Sequence, residues 1–104
     1  MITLLKKLFG SGTTKDYTEL MKKGAQIVDV RTTGEYRSGH IRGSVNIPLG
    51  TLQRSLSKLK KDKPVITCCA SGMRSATAKS ILRSNGFIEV VNGGGWMGLE
   101  KKLK

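Results

Sequence analysis

The sequence predicts an α/β fold in which a mostly parallel central sheet is flanked by helices on both faces. Two short runs rich in β-branched residues, QIVDV at Gln26–Val30 and PVITC at Pro64–Cys68, are typical of buried strands. Segments with helical patterning lie between and after these runs. Strands that alternate with helices favour a parallel sheet with right-handed crossovers, and ligands in such folds bind beyond the carboxyl ends of the strands.

The first predicted elements are a helix and a strand. Thr14 can cap a helix that continues to Lys23, and Asp16 suits its positively polarised first turn. Gly24 then ends this helix. The strand Gln26–Val30 follows directly.

Three shorter elements are predicted in the middle of the chain. These are a helix at Thr33–Ser38, a strand at Ser44–Ile47 and a longer helix at Leu49–Leu59. The longer helix is amphipathic, because its leucines recur on one face: Leu52, Leu56 and Leu59. We expect this face to pack on the sheet.

The second half of the chain is predicted to continue from the strand PVITC through a tight loop into a helix. Small residues at 70–73 form the loop, and Arg74–Ser84 forms the helix. The side chains expected to pack from this helix are Ala76, Ala78, Ile81 and Leu82. Phe87–Val91 predicts a further strand, after which residues 92–95 turn into a last helix that begins near Trp96.

Length and composition indicate one globular domain. The chain has 104 residues, 38% of them hydrophobic and 25% charged, and a second domain would leave neither with an adequate core. We divide it into a short amphipathic segment, 1–12, which packs on the domain or touches a membrane or partner, and a catalytic domain, 13–104.

No stretch is apolar for long enough to cross a bilayer, and no secretory signal is recognisable. Cys68 and Cys69 are adjacent and poorly placed for a disulfide, so a reducing, cytoplasmic location is expected.

The chain is strongly basic. Nineteen Lys and Arg against seven Asp and Glu give a formal net charge of +12, and the basic residues are spread over all segments. Such a surface attracts anions, which include small substrates, acidic proteins, nucleic acids and anionic membranes. Specific nucleic-acid binding is not expected, because the chain has only one Trp, two Tyr and two Phe and no recognition motif. A small anionic substrate and an acidic protein partner are the expected ligands.

Cys69 and the residues after it have the composition of an anion-binding loop. A cysteine ends a strand, small residues turn the chain and a helix begins, so that several amide N–H groups point at one place. Gly72 permits backbone angles closed to other residues, and Arg74 adds a planar cation. Such surroundings lower a thiol pKa, and we therefore predict that Cys69 is the catalytic nucleophile. The predicted substrate-binding set is Ala70, Ser71, Gly72, Met73, Arg74 and Ser75.

At three places the sequence resembles the rhodanese-like sulfurtransferases, and the similarity runs from about Thr14 to the end of the chain. Cys69–Ser75 is similar to the family's C-x-x-G-x-R-S active-site loop. Asp29–Arg31 resembles its D-x-R strand end. Residues 35–49 resemble its E-x-x-x-G-H-I-x-G-A-x-N-I-P-L stretch, with Ser44 in place of the alanine. Three motifs in the right order are a specific signal, whereas one would be weak.

The resemblance implies a single-domain thiosulfate sulfurtransferase. Cys69 would take a sulfane sulfur from a donor such as thiosulfate, hold it as a persulfide and pass it to a thiol or cyanide acceptor. Arg74 would help to bind the anionic donor. The resemblance implies no metal and no organic cofactor. Four further motif positions are expected to support the structure: Asp29, Arg31, Glu35 and His40.

Two of these supporting residues carry specific expectations. Asp29 lies in a predicted buried strand, where an unpaired carboxylate would be costly, so we expect it to be paired. His40 is the only histidine. A thiolate that is already ionised needs no general base, so a structural hydrogen bond is expected for His40.

Two other functions stay open. Counted from Cys68 to Arg74, the loop reads C-x-x-x-x-x-R-S, the spacing of cysteine phosphatases and arsenate reductases, in which a nearby Asp acts as general acid. Thr67 stands where many tyrosine phosphatases have histidine. The second alternative is a rhodanese-like module without turnover, which carries a persulfide to an acidic partner or only binds that partner.

Overall fold

The central sheet has four parallel strands. The computed structural model describes residues 16–104. The strands are β1 (Gln26–Asp29), β2 (Val45–Asn46), β3 (Val65–Cys69) and β4 (Val90–Gly95). Their order in the sheet is β2-β1-β3-β4, and all three neighbouring pairs are parallel. The predicted α/β fold with a parallel sheet is confirmed.

Within residues 16–104, four α-helices accompany the sheet: α1 (Tyr17–Lys22), α2 (Thr33–Ser38), α3 (Met73–Ser84) and α4 (Trp96–Leu103). None of the helices within residues 16–104 is both long and apolar enough to cross a membrane. The predicted bounds of α2 are confirmed, and the predicted start of α3 differs by one residue.

Helices cover both faces of the sheet. Successive side chains of a strand point to opposite faces, so the strands contribute to two separate core clusters. On one face, Ala78 and Leu82 of α3 pack with Val28 and Val65 of the strands. On the other face, residues of α1 and α4 pack with strand residues in a second cluster that includes Tyr17, Leu20, Ile27, Ile66 and Leu99. Neighbouring residues of one strand therefore lie in different environments, which matters for the two cysteines.

Helix α1 begins later than predicted. Its N-cap is Asp16, whose carboxylate accepts a hydrogen bond from the Glu19 amide at 3.1 Å. Gly24 ends the helix with φ +85°, and the Ala25 amide bonds back to the Leu20 carbonyl at 3.0 Å, which satisfies an otherwise open carbonyl. The expected cap at Thr14 and the amphipathic segment 1–12 lie outside the described residues.

The predicted amphipathic helix at Leu49–Leu59 is wrong in helix type. The segment forms two short 3-10 helices, Leu49–Arg54 and Leu56–Lys58. Its turns close three residues apart, as in the bond from the Ser55 amide to the Leu52 carbonyl at 2.9 Å. The apolar face was predicted correctly, since the leucines contact the core: Leu52, Leu56 and Leu59.

The predicted strand at Phe87–Val91 begins and ends later, at Val90–Gly95, so residues 92–95 belong to the strand and do not form a turn after it. A local turn within the strand remains, where the Gly94 amide donates to Asn92 Oδ1 at 2.9 Å. Gly93 and Gly95 are needed there for close packing instead. A Cβ on Gly93 would come within 2.8 Å of the Leu99 side chain and 2.9 Å of the Thr67 carbonyl oxygen. Ala76, expected to pack from α3, is exposed. It lies on the solvent side of the helix, whereas Ala78 is buried.

Candidate active site

Cys69 lies at the carboxyl end of β3, directly before the loop that leads into α3. Gly72 is the N-cap of α3 with φ +106°, a conformation that favours glycine. It turns the backbone so that the Gly72 amide donates to Cys69 Sγ at 2.9 Å and the Ser75 amide donates to it at 3.4 Å. The Ser75 hydroxyl lies 3.4 Å from the same sulfur. The loop therefore converges on one sulfur atom.

These contacts favour the thiolate form of Cys69. Burial acts to raise the pKa of the thiol. The Ser75 hydroxyl and the amides of Ser75, Gly72 and Ser71 act against burial and prevail, so the pKa of Cys69 lies below its ordinary value. The N-terminus of α3, a helix of 12 residues, adds positive potential at the same place. Such a cysteine is nucleophilic without a neighbouring base.

Cys68 differs from Cys69 in the face of the sheet that it occupies and in the direction of its pKa shift, although both residues are buried. Its side chain lies on the other face of the sheet, in the cluster with Ile66 and Leu99, and the residue is 0% exposed. Burial, followed by the nearby Asp29 carboxylate, raises the pKa of Cys68 to about 12. A phosphatase nucleophile at Cys68 would therefore be a neutral thiol facing away from the loop. The geometry therefore does not favour Cys68 as the nucleophile of a C-x-x-x-x-x-R-S loop.

Ser75 is held by residues that the sequence analysis missed. Its hydroxyl lies 2.6 Å from Asn92 Oδ1, and its carbonyl accepts a hydrogen bond from Thr67 Oγ1 at 2.9 Å. Asn92 comes from β4 and also accepts from the Gly94 amide at 2.9 Å. An Asn two residues before a glycine is the signal of an Asx turn. That signal predicts the local turn but not the contact with Ser75.

Arg74 is fixed at the rim of the loop by Glu35. The guanidinium donates from Nη1 to Glu35 Oε1 at 2.8 Å and from Nη2 to Oε2 at 3.0 Å. Glu35 also completes a capping box at the start of α2, where the Thr32 amide donates to Oε1 at 3.0 Å. The Arg74 bond, followed by the bond to Thr32, lowers the pKa of Glu35 to about 2. Glu35 thus ties the active-site loop to α2.

Asp29 and Arg31 form the buried ion pair expected for Asp29. Arg31 Nη2 lies 2.7 Å from Asp29 Oδ2, and the two side chains are 5% and 0% exposed. The guanidinium also donates to the carbonyls of Glu35 and Gly39, at 3.2 and 2.7 Å, and it stacks on Trp96 with 4.9 Å to the ring centroid. The hydrogen bond with Asp29 is the main cause that raises the pKa of Arg31. The pair connects β1, α2 and α4 beneath the site.

His40 makes a structural hydrogen bond, as expected. Its Nδ1 lies 2.7 Å from the Tyr36 carbonyl oxygen, and the two rings stack with centroids 3.7 Å apart. No hydrogen bond within residues 16–104 joins His40 to Cys69. This arrangement orders the chain after α2.

The remaining predicted residues contribute backbone rather than side chains. Ala70 and Ser71 are exposed, and Met73, the first residue of α3, is 80% exposed. A Cβ on Gly95 would lie 2.9 Å from the Ala70 carbonyl oxygen, so β4 supports the loop by close backbone contact. Within the described part of the chain, no group of three or more His, Cys, Asp or Glu residues is placed to hold a metal ion.

Comparisons with known proteins point to one family. A family model described as a rhodanese-like domain matches residues 13–102. The uncharacterized protein YqhL of Bacillus subtilis is 38% identical over 92 residues, covering 88% of this chain and 66% of YqhL. The thiosulfate sulfurtransferase PspE of Escherichia coli is 36% identical over 70 residues, covering 65% of this chain and 67% of PspE. This chain therefore spans about two thirds of the length of either relative.

Among solved structures, a rhodanese with anions from Escherichia coli has the same fold. Its TM-score is 0.67 at 32% sequence identity, and the match covers 71% of this chain and 89% of that chain. The share of that chain covered indicates that the likeness extends over nearly the whole of a small domain.

Proposed function

The chain belongs to the rhodanese-like family, and from that membership we propose that it moves a sulfane sulfur from thiosulfate or a similar donor to a thiophilic acceptor through a persulfide on Cys69. The observation that carries the proposal is the convergence of the Gly72 amide, the Ser75 amide and the Ser75 hydroxyl on Cys69 Sγ. These hydrogen bonds stabilise the attacking thiolate, and the positive potential of the loop and of the helix N-terminus favours the negative charge that the outer sulfur of the persulfide then carries.

The first half-reaction loads the cysteine. The Cys69 thiolate attacks the terminal sulfur of thiosulfate, a new S–S bond forms, and the S–S bond within thiosulfate breaks. Sulfite leaves with the electron pair of the broken bond, and Cys69 holds the persulfide anion. The total charge is the same before and after the step, so no proton and no oxidant are needed.

The second half-reaction returns the enzyme to its starting state. A nucleophilic acceptor such as cyanide attacks the outer sulfur of the persulfide, and the Cys69 thiolate leaves. Cyanide becomes thiocyanate, whereas a thiol acceptor becomes a persulfide. No metal or organic cofactor takes part in this proposed cycle, because the thiolate, donor and acceptor account for every bond.

Donor binding depends on the positive field at the loop. Nη1 and Nη2 of Arg74 each donate to Glu35, so Arg74 offers the donor only its remaining N–H groups, and the N-terminus of α3 adds positive potential at the same place. A similar rhodanese from Escherichia coli has anions in its structure, which supports an anionic donor here. Cys69 is only 1% exposed, so a narrow group such as the terminal sulfur of thiosulfate suits the loop better than a bulky phosphate ester.

We also propose an acidic protein as one acceptor. The formal net charge of +12 would speed encounter with such a partner through long-range attraction. If charge steers the encounter, the rate of transfer to an acidic acceptor falls as salt rises, while the rate with a neutral small thiol changes little. Equal salt dependence with both acceptors would remove this part of the proposal.

The compartment and the domain division are further proposals. Cys68 and Cys69 are both free thiols, which supports a reducing cytoplasm. We propose that residues 13–104 form the catalytic domain, which agrees with the family match over 13–102, and that residues 1–12 are a separate short segment.

Thiocyanate formation from thiosulfate and cyanide tests the function. The wild type and Cys68→Ser are expected to turn over, and Cys69→Ser is expected to lose activity to background. Turnover without Cys69 would reject the proposed nucleophile. A persulfide that forms on Cys69 but is never passed to cyanide or to small thiols would favour the carrier alternative, and phosphate-ester hydrolysis dependent on Cys68 would favour the phosphatase.

A further inference from the structure

The Ser75 hydroxyl has one proton and several neighbours able to accept it. Its oxygen lies 2.6 Å from Asn92 Oδ1, 3.1 Å from the Gly72 carbonyl oxygen and 3.4 Å from Cys69 Sγ. A hydroxyl donates one hydrogen bond and accepts up to two. The three neighbours therefore compete for a single donor.

The Gly72 carbonyl is the weakest competitor, since it already accepts two hydrogen bonds. The Ala76 amide donates to it at 3.1 Å within α3, and Asn92 Nδ2 donates at 3.3 Å. A carbonyl oxygen has two lone pairs, and both are engaged. The competition for the Ser75 proton is between Asn92 and the sulfur.

The orientation of the Asn92 amide is fixed by its own turn. The Gly94 amide donates to Asn92 Oδ1 at 2.9 Å, while Nδ2 faces the Gly72 carbonyl. A flipped amide would place an NH₂ against the Gly94 N–H and lose this bond. Oδ1 is therefore the atom that faces Ser75, and at 2.6 Å it is the nearest acceptor for the hydroxyl proton.

We propose that Asn92 is a positioning residue for Cys69, which acts through Ser75 by competing with the sulfur for the hydroxyl proton. The proposal rests on the proposed role of Cys69 as nucleophile. In the thiol state, Cys69 donates to the Ser75 oxygen and Ser75 donates to Asn92. When the thiol ionises, the Ser75 hydroxyl must give up its bond to Asn92 in order to donate to the thiolate.

This competition gives Asn92 a measurable effect on the nucleophile. It withholds part of the Ser75 hydrogen bond from the thiolate, so the pKa of Cys69 is higher than Ser75 and the loop amides alone would make it. Nucleophilicity falls as a thiol pKa falls, and the best attacking thiol has a pKa near the ambient pH. Asn92 therefore acts on the balance between the fraction of Cys69 that is thiolate and the nucleophilicity of that thiolate.

Substitution of Asn92 leaves every charged group near Cys69 unchanged. Cys68 is adjacent on β3, Arg74 comes from α3, and Glu35 of α2 holds Arg74. Asp29 of β1 is near both Cys68 and Arg74. Strand β4, which carries Asn92, contains no ionisable side chain. A shift caused by an Asn92 variant thus originates in the hydrogen-bond network.

The test is a pH titration of the Cys69 thiolate by its ultraviolet absorbance, taken as the difference from a matched Cys69→Ser variant. Asn92→Ala removes the competing acceptor. Asn92→Ser also removes it, but keeps a hydroxyl that can accept from the Gly94 amide and preserve the turn, so it serves if Asn92→Ala does not fold. Each change is also made in a Ser75→Ala background.

Both Asn92 variants are expected to lower the titration midpoint of Cys69 by about half a pH unit, because they release only the part of the single Ser75 hydrogen bond that Asn92 withholds. In the Ser75→Ala background, the same changes are expected to leave the midpoint where Ser75→Ala alone places it. An unchanged or raised midpoint in the single variants would overturn the proposal, as would an equal shift in both backgrounds. The titration needs no sulfur donor, so failure of thiosulfate to load Cys69 would count against the proposed function alone.

Discussion

Arg74 in the active-site loop and Glu35 in α2 form a bidentate ion pair, with N···O distances of 2.8 and 3.0 Å. The two residues are 39 positions apart in sequence. The pair connects the loop around Cys69 to the segment that follows β1, and Glu35 additionally caps its own helix. One carboxylate therefore orders two parts of the site.

The pH dependence of stability should reveal this pair. The pKa of Glu35 falls from 4.5 to about 2 in the folded protein. The unfolded chain therefore binds the proton more tightly, so the stabilisation is complete above pH 4.5 and is lost as pH falls towards 2. Glu35→Gln should be less stable than wild type above this window and should converge with it at the acid end. Denaturant unfolding at a series of pH values checks this.

The matched control for Glu35 is Glu89→Gln. Glu89 makes one exposed contact with Lys23 at 3.7 Å, a type of pair that contributes little. Its unfolding curve should stay close to wild type across the window. If the free energy of unfolding of Glu35→Gln differed from that of wild type by the same amount at every pH, the ionised pair would not be a source of stability.

Loss of the buried pair of Asp29 and Arg31 should lower the stability far more than loss of an exposed pair. Arg31→Met leaves a carboxylate that is 0% exposed without its partner, which typically costs about 3–5 kcal/mol in the free energy of unfolding. The exposed pair of Lys22 and Glu19, 3.9 Å apart, is the control, and Lys22→Met should change stability by less than about 1 kcal/mol. Urea unfolding of both variants tests the contrast, and equal losses would contradict it.

Alanine substitutions at Gly93 and Gly98 should change the stability in opposite directions. A Cβ at Gly93 would meet the Leu99 side chain at 2.8 Å and the Thr67 carbonyl at 2.9 Å, so Gly93→Ala should destabilise by about 1–3 kcal/mol. Nothing lies within 4 Å of a Cβ at Gly98 in α4, where alanine is the better helix former by about 1 kcal/mol. Thermal unfolding should give a lower Tm for the first variant and a slightly higher Tm for the second. A tolerated Gly93→Ala would mean that β4 does not pack this closely.

Ser75→Ala should shift the pH profile of sulfur transfer. The Ser75 hydroxyl is among the groups that lower the pKa of Cys69, so its loss raises that pKa, by about one unit for a hydrogen bond to a charged group. The acid limb of kcat/KM should move to higher pH, with a roughly tenfold loss well below the midpoint. Ser80→Ala, an exposed position in the same helix, is the control and should leave the profile in place. An identical profile for both variants would contradict this role of Ser75.

The sequence was most informative where local signals and tertiary structure coincide. Thr32 and Glu35 form a capping box, and α2 has the predicted bounds. The loop from Cys69 to Gly72 was predicted from its small residues, and its amides do converge on the sulfur. In both cases the determining hydrogen bonds join residues a few positions apart.

The sequence-based predictions were wrong where one sequence pattern fits two structures and contacts between distant residues determine which of the two forms. Leucines at the spacing of 52, 56 and 59 present one face in either helix type, so their pattern did not distinguish a 3-10 from an α-helix. The glycines after Asn92 have the composition of a turn, but the proximity of Leu99 requires the one at 93. The contact between Asn92 and Ser75 spans 17 positions and joins β4 to α3, which no local pattern predicts.

The central claim is that Cys69, and not Cys68, accepts the sulfur. The direct measurement is the intact mass of wild type, Cys68→Ser and Cys69→Ser after incubation with thiosulfate, followed by mapping of the modified peptide. We predict a one-sulfur adduct on wild type and Cys68→Ser that cyanide removes, and no adduct on Cys69→Ser. An adduct that persists on folded Cys69→Ser, or none on folded wild type, would contradict the account.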